Sequence, residues 1–281
     1  MPSFVTPDPI SATVELSVGN VAIVASDRAD TVVEVRPSDP ENKSDVETAA
    51  ATRIDHIDGA LAVHGPKSRT ISFSRKTRSV EVVIMLPTGS RVHIDTAVGE
   101  TRSTGVLGEC RVKNSVGQVH LYRTGPLRVD TGAGDVTVEV ADGSTEISTG
   151  SGQVRVGTIG GTAVVKNANG DIDLGEVEGT LRVRSAVGAI TVGKAGADVE
   201  ATSASGNIRV GEIACGRIDL NSSTGGIEIG IAEGTAAWLD LKTGFGRVQN
   251  SLDTGDGPDE SENRAEVRAN TTFGDISVRR A

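Results

Sequence analysis

Aromatic residues are nearly absent from this chain of 281 residues, which has one tryptophan, one tyrosine and four phenylalanines. A globular core of ordinary thickness takes much of its buried area from aromatic rings. Their scarcity points instead to a thin core of aliphatic rows. Cysteine is scarce too. Cys110 and Cys215 lie nearly six repeats apart, roughly 28 Å at the spacing of neighbouring strands, which is beyond disulfide reach. Cys110 falls at an inward position and reads as a buried thiol. The histidines (His56, His64, His93 and His120) lack the spacing of metal ligands. No apolar run is long enough to span a membrane, and Met1–Pro9 has neither the basic start nor the apolar run of a secretory signal. The expected location is therefore cytoplasmic, with no membrane partner. A net charge of −10 opposes binding to nucleic acid. No Gly-x-Ser-x-Gly elbow and no phosphate loop is present. No catalytic residue, metal or cofactor is predicted, and the chain is not expected to be an enzyme.

Glycine is abundant, with 35 residues, and it is periodic. Repeats open at Gly99, Gly117, Gly134, Gly152, Gly170, Gly188, Gly206 and Gly225, at intervals of 17 to 19 residues. Two positions after each glycine lie Val119, Val136, Val154, Ile172, Ile190, Ile208 and Ile227; four after lie Leu121, Val138, Val156, Leu174, Val192, Val210 and Ile229. Apolar residues alternating with polar ones mark a strand with one buried face. A second alternation, such as Leu181 and Val183, precedes each glycine by seven and five positions. Each repeat therefore holds two short strands. One repeat cannot bury its apolar row alone, whereas stacked copies can. The expectation is an all-β parallel β-solenoid, or β-helix, right-handed by the crossover rule, with two-strand coils of roughly 18 residues. Three positions before the glycine, Thr96, Asn114, Thr131, Thr149, Asn167, Ser185, Ser203, Ser222 and Thr243 form a column of small hydrogen-bonding residues. Its expected role is a corner ladder bonding backbone groups.

The whole chain, 1–281, reads as a single elongated domain. Residues 1–24 look like a first coil, 25–90 like an irregular β-rich N-terminal cap, 91–250 like regular coils, and 251–281 like an acidic loop with a closing coil. Strands are expected over Thr31–Arg36, Leu61–His64, Thr70–Phe73 and Val80–Leu86, with a short helix over Asp45–Arg53. Thr101 and Ser103 replace the usual apolar pair, which predicts an irregular stack after Gly99. Lys67, Arg69, Arg75, Lys76 and Arg78 cluster in the cap and form a candidate interaction patch for an anionic partner. The alternative is a solvated hairpin with edge-protecting charges. Residues 253–263 form an acidic run without apolar residues, expected to be a mobile loop. Trp238, Phe245 and Phe273 are expected to close the C-terminal core, with the two phenylalanines stacked.

The repeated Gly-Asp-Ile-x-Val units and the segment Ala236–Asn250 resemble the bacterial "putative adhesin" family, a domain of unknown function built of β-strand repeats. The resemblance covers nearly the whole chain and implies a parallel β-solenoid with no established reaction. The function expected is a non-catalytic scaffold or protein-interaction module, adhesin-like, with an unknown protein partner. The alternative is a protein that binds or cleaves polysaccharide. Paired carboxylates for cleavage are not evident, since Asp135 and Asp171 share their column with Gln153, Ala189 and Asn207. After Phe273–Val278 only Arg279, Arg280 and Ala281 remain to cover the last coil. A homodimer through that C-terminal coil is therefore expected.

Overall fold

The structure, a computed structural model, describes residues 1–66, 78–252 and 263–281. It corrects the expected architecture. The strands form an almost entirely parallel sheet that closes 342° round an axis into a near-complete barrel, not a solenoid or β-helix. The sequence period reports which residues become neighbours on adjacent strands. It does not report how far the sheet turns. Within each repeat the two strands are joined through a glycine at positive φ, where the backbone adopts a conformation that a side chain would oppose. Gly170 (φ 127°) and Gly188 (φ 136°) are examples. The two apolar rows of each repeat then face one interior. Contacts divide the chain into two compact units, 1–140 and 141–281.

In the first unit, Ser11–Ser26 is one long strand. Its first half pairs in parallel with Ala60–His64 on one side and Arg91–Val98 on the other. Its second half pairs with Val80–Pro87 and Thr101–Thr104. Beyond these come antiparallel partners: Asp30–Pro37 lies on Val80–Pro87, Ser3–Val5 on Asp30–Pro37, and Arg53–Ile57 on Ala60–His64. These outermost strands are short, which limits pairing with another chain. The helix spans Lys43–Ala51, with the Asn42 side chain accepting from the Ser44 N–H at its start. Asp45 is buried, and its carboxylate accepts from the backbone N–H groups of Ser79 and Asp39. Thr101 and Ser103 stay in register with Val21 and Ile23 and are buried, but on the other side only Thr101 and Arg102 pair with Val119 and His120 before the isolated Val106–Arg123 bridge, so the ladder is irregular there as expected. Cys110 is buried beside Leu127 and Val92, and burial pushes its thiol up to about 12 from 9.0.

In the second unit the repeat spacing becomes the strand register. Ile172 lies beside Val154 and Ile190, and Leu174 beside Val156 and Val192, all buried. The corner column bonds as expected where donors reach. Asn167 Nδ2 donates to the carbonyls of Gly152 and Gly170, and Ser222 and Thr271 donate to those of Gly206 and Gly225. The column is buried apart from Thr243, so it is no exposed binding array.

The end of this unit is built out of chain order. Asn263–Phe273 pairs with Gly216–Thr224 on one side and with Thr235–Phe245 on the other. Ile276–Arg280 likewise lies between Ile227–Ile231 and Val248–Asn250. The glycine column follows the same order, Gly225 to Gly274 to Gly246: Thr271 Oγ1 donates to the Gly225 carbonyl and Thr243 Oγ1 to that of Gly274. The last strands of the chain are therefore interior. The terminal edge belongs to Thr235–Phe245 and Val248–Asn250, which corrects the expected closing coil at Phe273–Val278.

Candidate functional site

The edge strand Thr235–Phe245 is eleven residues long and pairs, among the described residues, only with Asn263–Phe273. Its alternation directs Ala237, Leu239 and Leu241 to the same side as the buried Ala265, Val267 and Ala269. With no strand beyond them among the described residues, Leu239 and Leu241 are half-buried. Val248, at the edge of the companion ladder, is 44% exposed, although its neighbour Ile276 is fully buried. Arg280 holds the turn before the edge strand by donating to the carbonyls of Ala232 and Thr235, both at 3.0 Å. The outer row of the edge strand reads Ala236, Trp238, Asp240 and Lys242, and Lys242 and Asp240 form an ion pair at 3.0 Å.

Trp238 sits between Leu239 and Ala237 in a strand whose odd positions face inward, so it faces out and is 57% exposed. Phe245 and Phe273 are stacked, with ring centroids 5.0 Å apart, but they lie outside the core at 69% and 52% exposure. The expectation that these three rings close the core is corrected. Period-2 alternation around Leu239 and Leu241 already required Trp238 to point outward, and that signal outranks the general tendency of tryptophan to be buried.

Beside Trp238 lies an open cleft of about 790 Å³ across Gly216–Thr224, Asn263–Phe273 and the edge strand. Its floor is small, formed by Gly216, Ala236, Ala237 and Ala265. Arg217, Arg264, Arg268 and Glu266 line the rest. Glu266 pairs with Arg268 at 2.7 Å and with Arg217 at 3.5 Å. The Arg268 guanidinium lies 6.0 Å from the Trp238 ring centroid. Elsewhere on the outer face, Glu200 accepts hydrogen bonds from Arg182 and then Arg184, which hold its carboxyl below the usual range.

Of the predicted interaction patch, Lys67, Arg69, Arg75 and Lys76 lie outside the described residues, and Arg78 is exposed. Most of the acidic run 253–263 also lies outside them. Asp171 accepts the Ala189 N–H at 2.8 Å, and Asn207 and Asp275 do the same for Gly226 and Arg247. These residues tie one repeat to the next, a backbone role that accounts for Asp and Asn after the glycine. Among the described residues no group of three or more His, Cys, Asp or Glu could hold a metal ion. No helix among them is long and apolar enough to cross a membrane.

No curated protein matches the chain. Among solved structures, it is similar to a protein described as a putative adhesin from Parabacteroides merdae, with 15% identity and a TM-score of 0.51 over 80% of this chain and 93% of that one. A second, from Bacteroides fragilis and also described as a putative adhesin, shares 13% identity over 99% of this chain and 95% of that one, with a TM-score of 0.35. The first of these likenesses is one of fold. The family model described as Toastrack DUF4097 matches residues 12–279, and the chain belongs to that family.

Proposed function

We propose that the protein is a non-catalytic protein-interaction module, and that its edge strand Thr235–Phe245 docks against a second copy of the same chain. The observation that carries this reading is the edge itself: an eleven-residue strand paired on one side among the described residues, with Leu239 and Leu241 half-uncovered. An open strand of this length offers unpaired N–H and C=O groups to another strand. The adhesin description of the structural relatives fits a binding role.

The residue order favours self-pairing. In an antiparallel two-fold pair centred on Leu241, each Asp240 stands opposite the Lys242 of the other copy. The two Leu241 side chains meet at the axis, and Leu239 lies opposite Thr243. Opposite charges directly across two strands contribute roughly 0.2–1 kcal/mol per pair, and like charges cost a similar amount. Such a two-fold arrangement closes and does not extend into a fibre.

Sedimentation velocity from low to high micromolar protein tests this. The expected result is a reversible dimer that Asp240→Lys weakens several-fold and that Asp240→Lys with Lys242→Asp restores. Both side chains sit on the outer row, so circular dichroism should be unchanged. A wild-type monomer at every concentration, or an exchange of charges that fails to restore the dimer, would refute the proposal.

A further inference from the structure

We infer that the Trp238 cleft is a binding site for an acidic saccharide, a chain of sugars bearing carboxylates. In a chain of net charge −10, this cleft is lined by three arginines and one glutamate. Glu266 is shared between Arg217 and Arg268. Arg264 has no ion pair among the described residues and is exposed. Asp219 and Asp240 stand in register on either side of Arg268, and Asp219 also lies 3.9 Å from Arg217, so the positive end of the cleft is the one at Arg264. A guanidinium there presents a planar pair of donors matched to a carboxylate.

The indole supplies the second half of the site. Trp238 is in register with Glu266, and Arg264 is two positions before Glu266 on the same strand. That is a separation of about 7 Å along the strand, on the scale of neighbouring groups in a sugar chain. An exposed ring face can stack on the apolar face of a sugar while the arginines take its carboxylate. The small floor leaves the cleft shallow and open, which suits a ligand laid across the sheet. A peptide is disfavoured here. Asn263–Phe273 is paired on both sides, so its backbone groups are not available to the main chain of a peptide lying over the face. The cleft shares Ala236, Ala237 and Trp238 with the edge strand of the proposed dimer, but neither proposal requires the other.

Trp238 is the sole tryptophan, so intrinsic fluorescence reports on this cleft directly. The titration uses a short oligogalacturonate, its neutral galactose counterpart and polyglutamate, at a protein concentration where sedimentation shows a single monomeric species. The expected result is a saturable emission change with the uronate, weakened by salt. The neutral sugar and the Arg264→Glu variant should each bind about tenfold more weakly or worse, in line with loss of a charge-assisted hydrogen bond. Calorimetry on Trp238→Ala should show the same loss. Three results would overturn the inference: no response to the uronate, an equal response to polyglutamate, or wild-type affinity in Arg264→Glu with its circular dichroism intact.

Discussion

Replacing Gly188 by alanine tests how the repeats are held together, with Gly234→Ala as its control. Both glycines have positive φ, 136° and 75°. A Cβ on Gly234 meets nothing within 4 Å. Its cost is therefore the conformational one alone, about 1–2 kcal/mol for an alanine in the left-handed region. A Cβ on Gly188 would lie 2.1 Å from the carbonyl oxygen of Gly170 and 2.6 Å from its carbon, where ordinary contacts begin at 3.4 Å. Those atoms are backbone, and the parallel ladder of the neighbouring repeats holds them in place. The strand would have to move by more than 1 Å. Strain of this kind adds to an unfavourable φ, and together they should cost above ~3 kcal/mol. Urea unfolding of the two variants beside the wild type gives the comparison. If Gly188→Ala costs no more than Gly234→Ala, close approach of successive glycines does not determine the spacing of the repeats.

Two further outcomes follow from the corner column and the buried thiol. Asn167→Ala removes donors to two part-buried carbonyls and should cost about 1–3 kcal/mol in the same assay, whereas Ser185→Ala, whose hydroxyl is buried without a partner among the described residues, should be neutral or stabilising. Cys110 stays protonated in the folded protein up to about 12, while the unfolded chain releases that proton near 9.0. The unfolded state then binds fewer protons across that window, so stability is intact below pH 9 and falls as pH rises from 9 towards 12, by up to about 1.4 kcal/mol per unit. Cys110→Ala should remove that part of the alkaline slope, measured as the difference between the two unfolding curves.

Much of the ladder was legible in the sequence. Residues 18 apart in the repeats, such as Ile172 and Ile190, do stand side by side. Part of the corner column, including Asn114, Asn167 and Ser222, bonds glycine carbonyls as its composition suggests, whereas Thr96, Thr131, Thr149 and Ser185 have no partner among the described residues. Closure of the sheet was not legible, because a repeat length encodes neighbours and not curvature. The order of the last strands was missed for a different reason. Sequence order is not spatial order here, since the better-formed repeat at Gly274, with Ile276 and Val278, occupies the interior. The poorer one at Gly246, with Val248 and polar Asn250, forms the edge. A polar residue where interior repeats carry an apolar one was the available signal. The direction of Trp238 was encoded in the alternation around it. The arginines of its cleft could not be grouped from sequence, since Arg217 and Arg264 meet only through the out-of-order pairing.

Hydrogen exchange along Thr235–Phe245 tests the central claim, that this edge is a docking strand for a second copy. Alternate amides of an edge strand face away from its one neighbour and exchange freely in a monomer. The prediction is that these amides exchange quickly at low micromolar protein and become at least about tenfold more protected at high concentration, while interior strands such as Ile172–Val177 do not change. Protection in the edge strand that is independent of concentration would contradict the account.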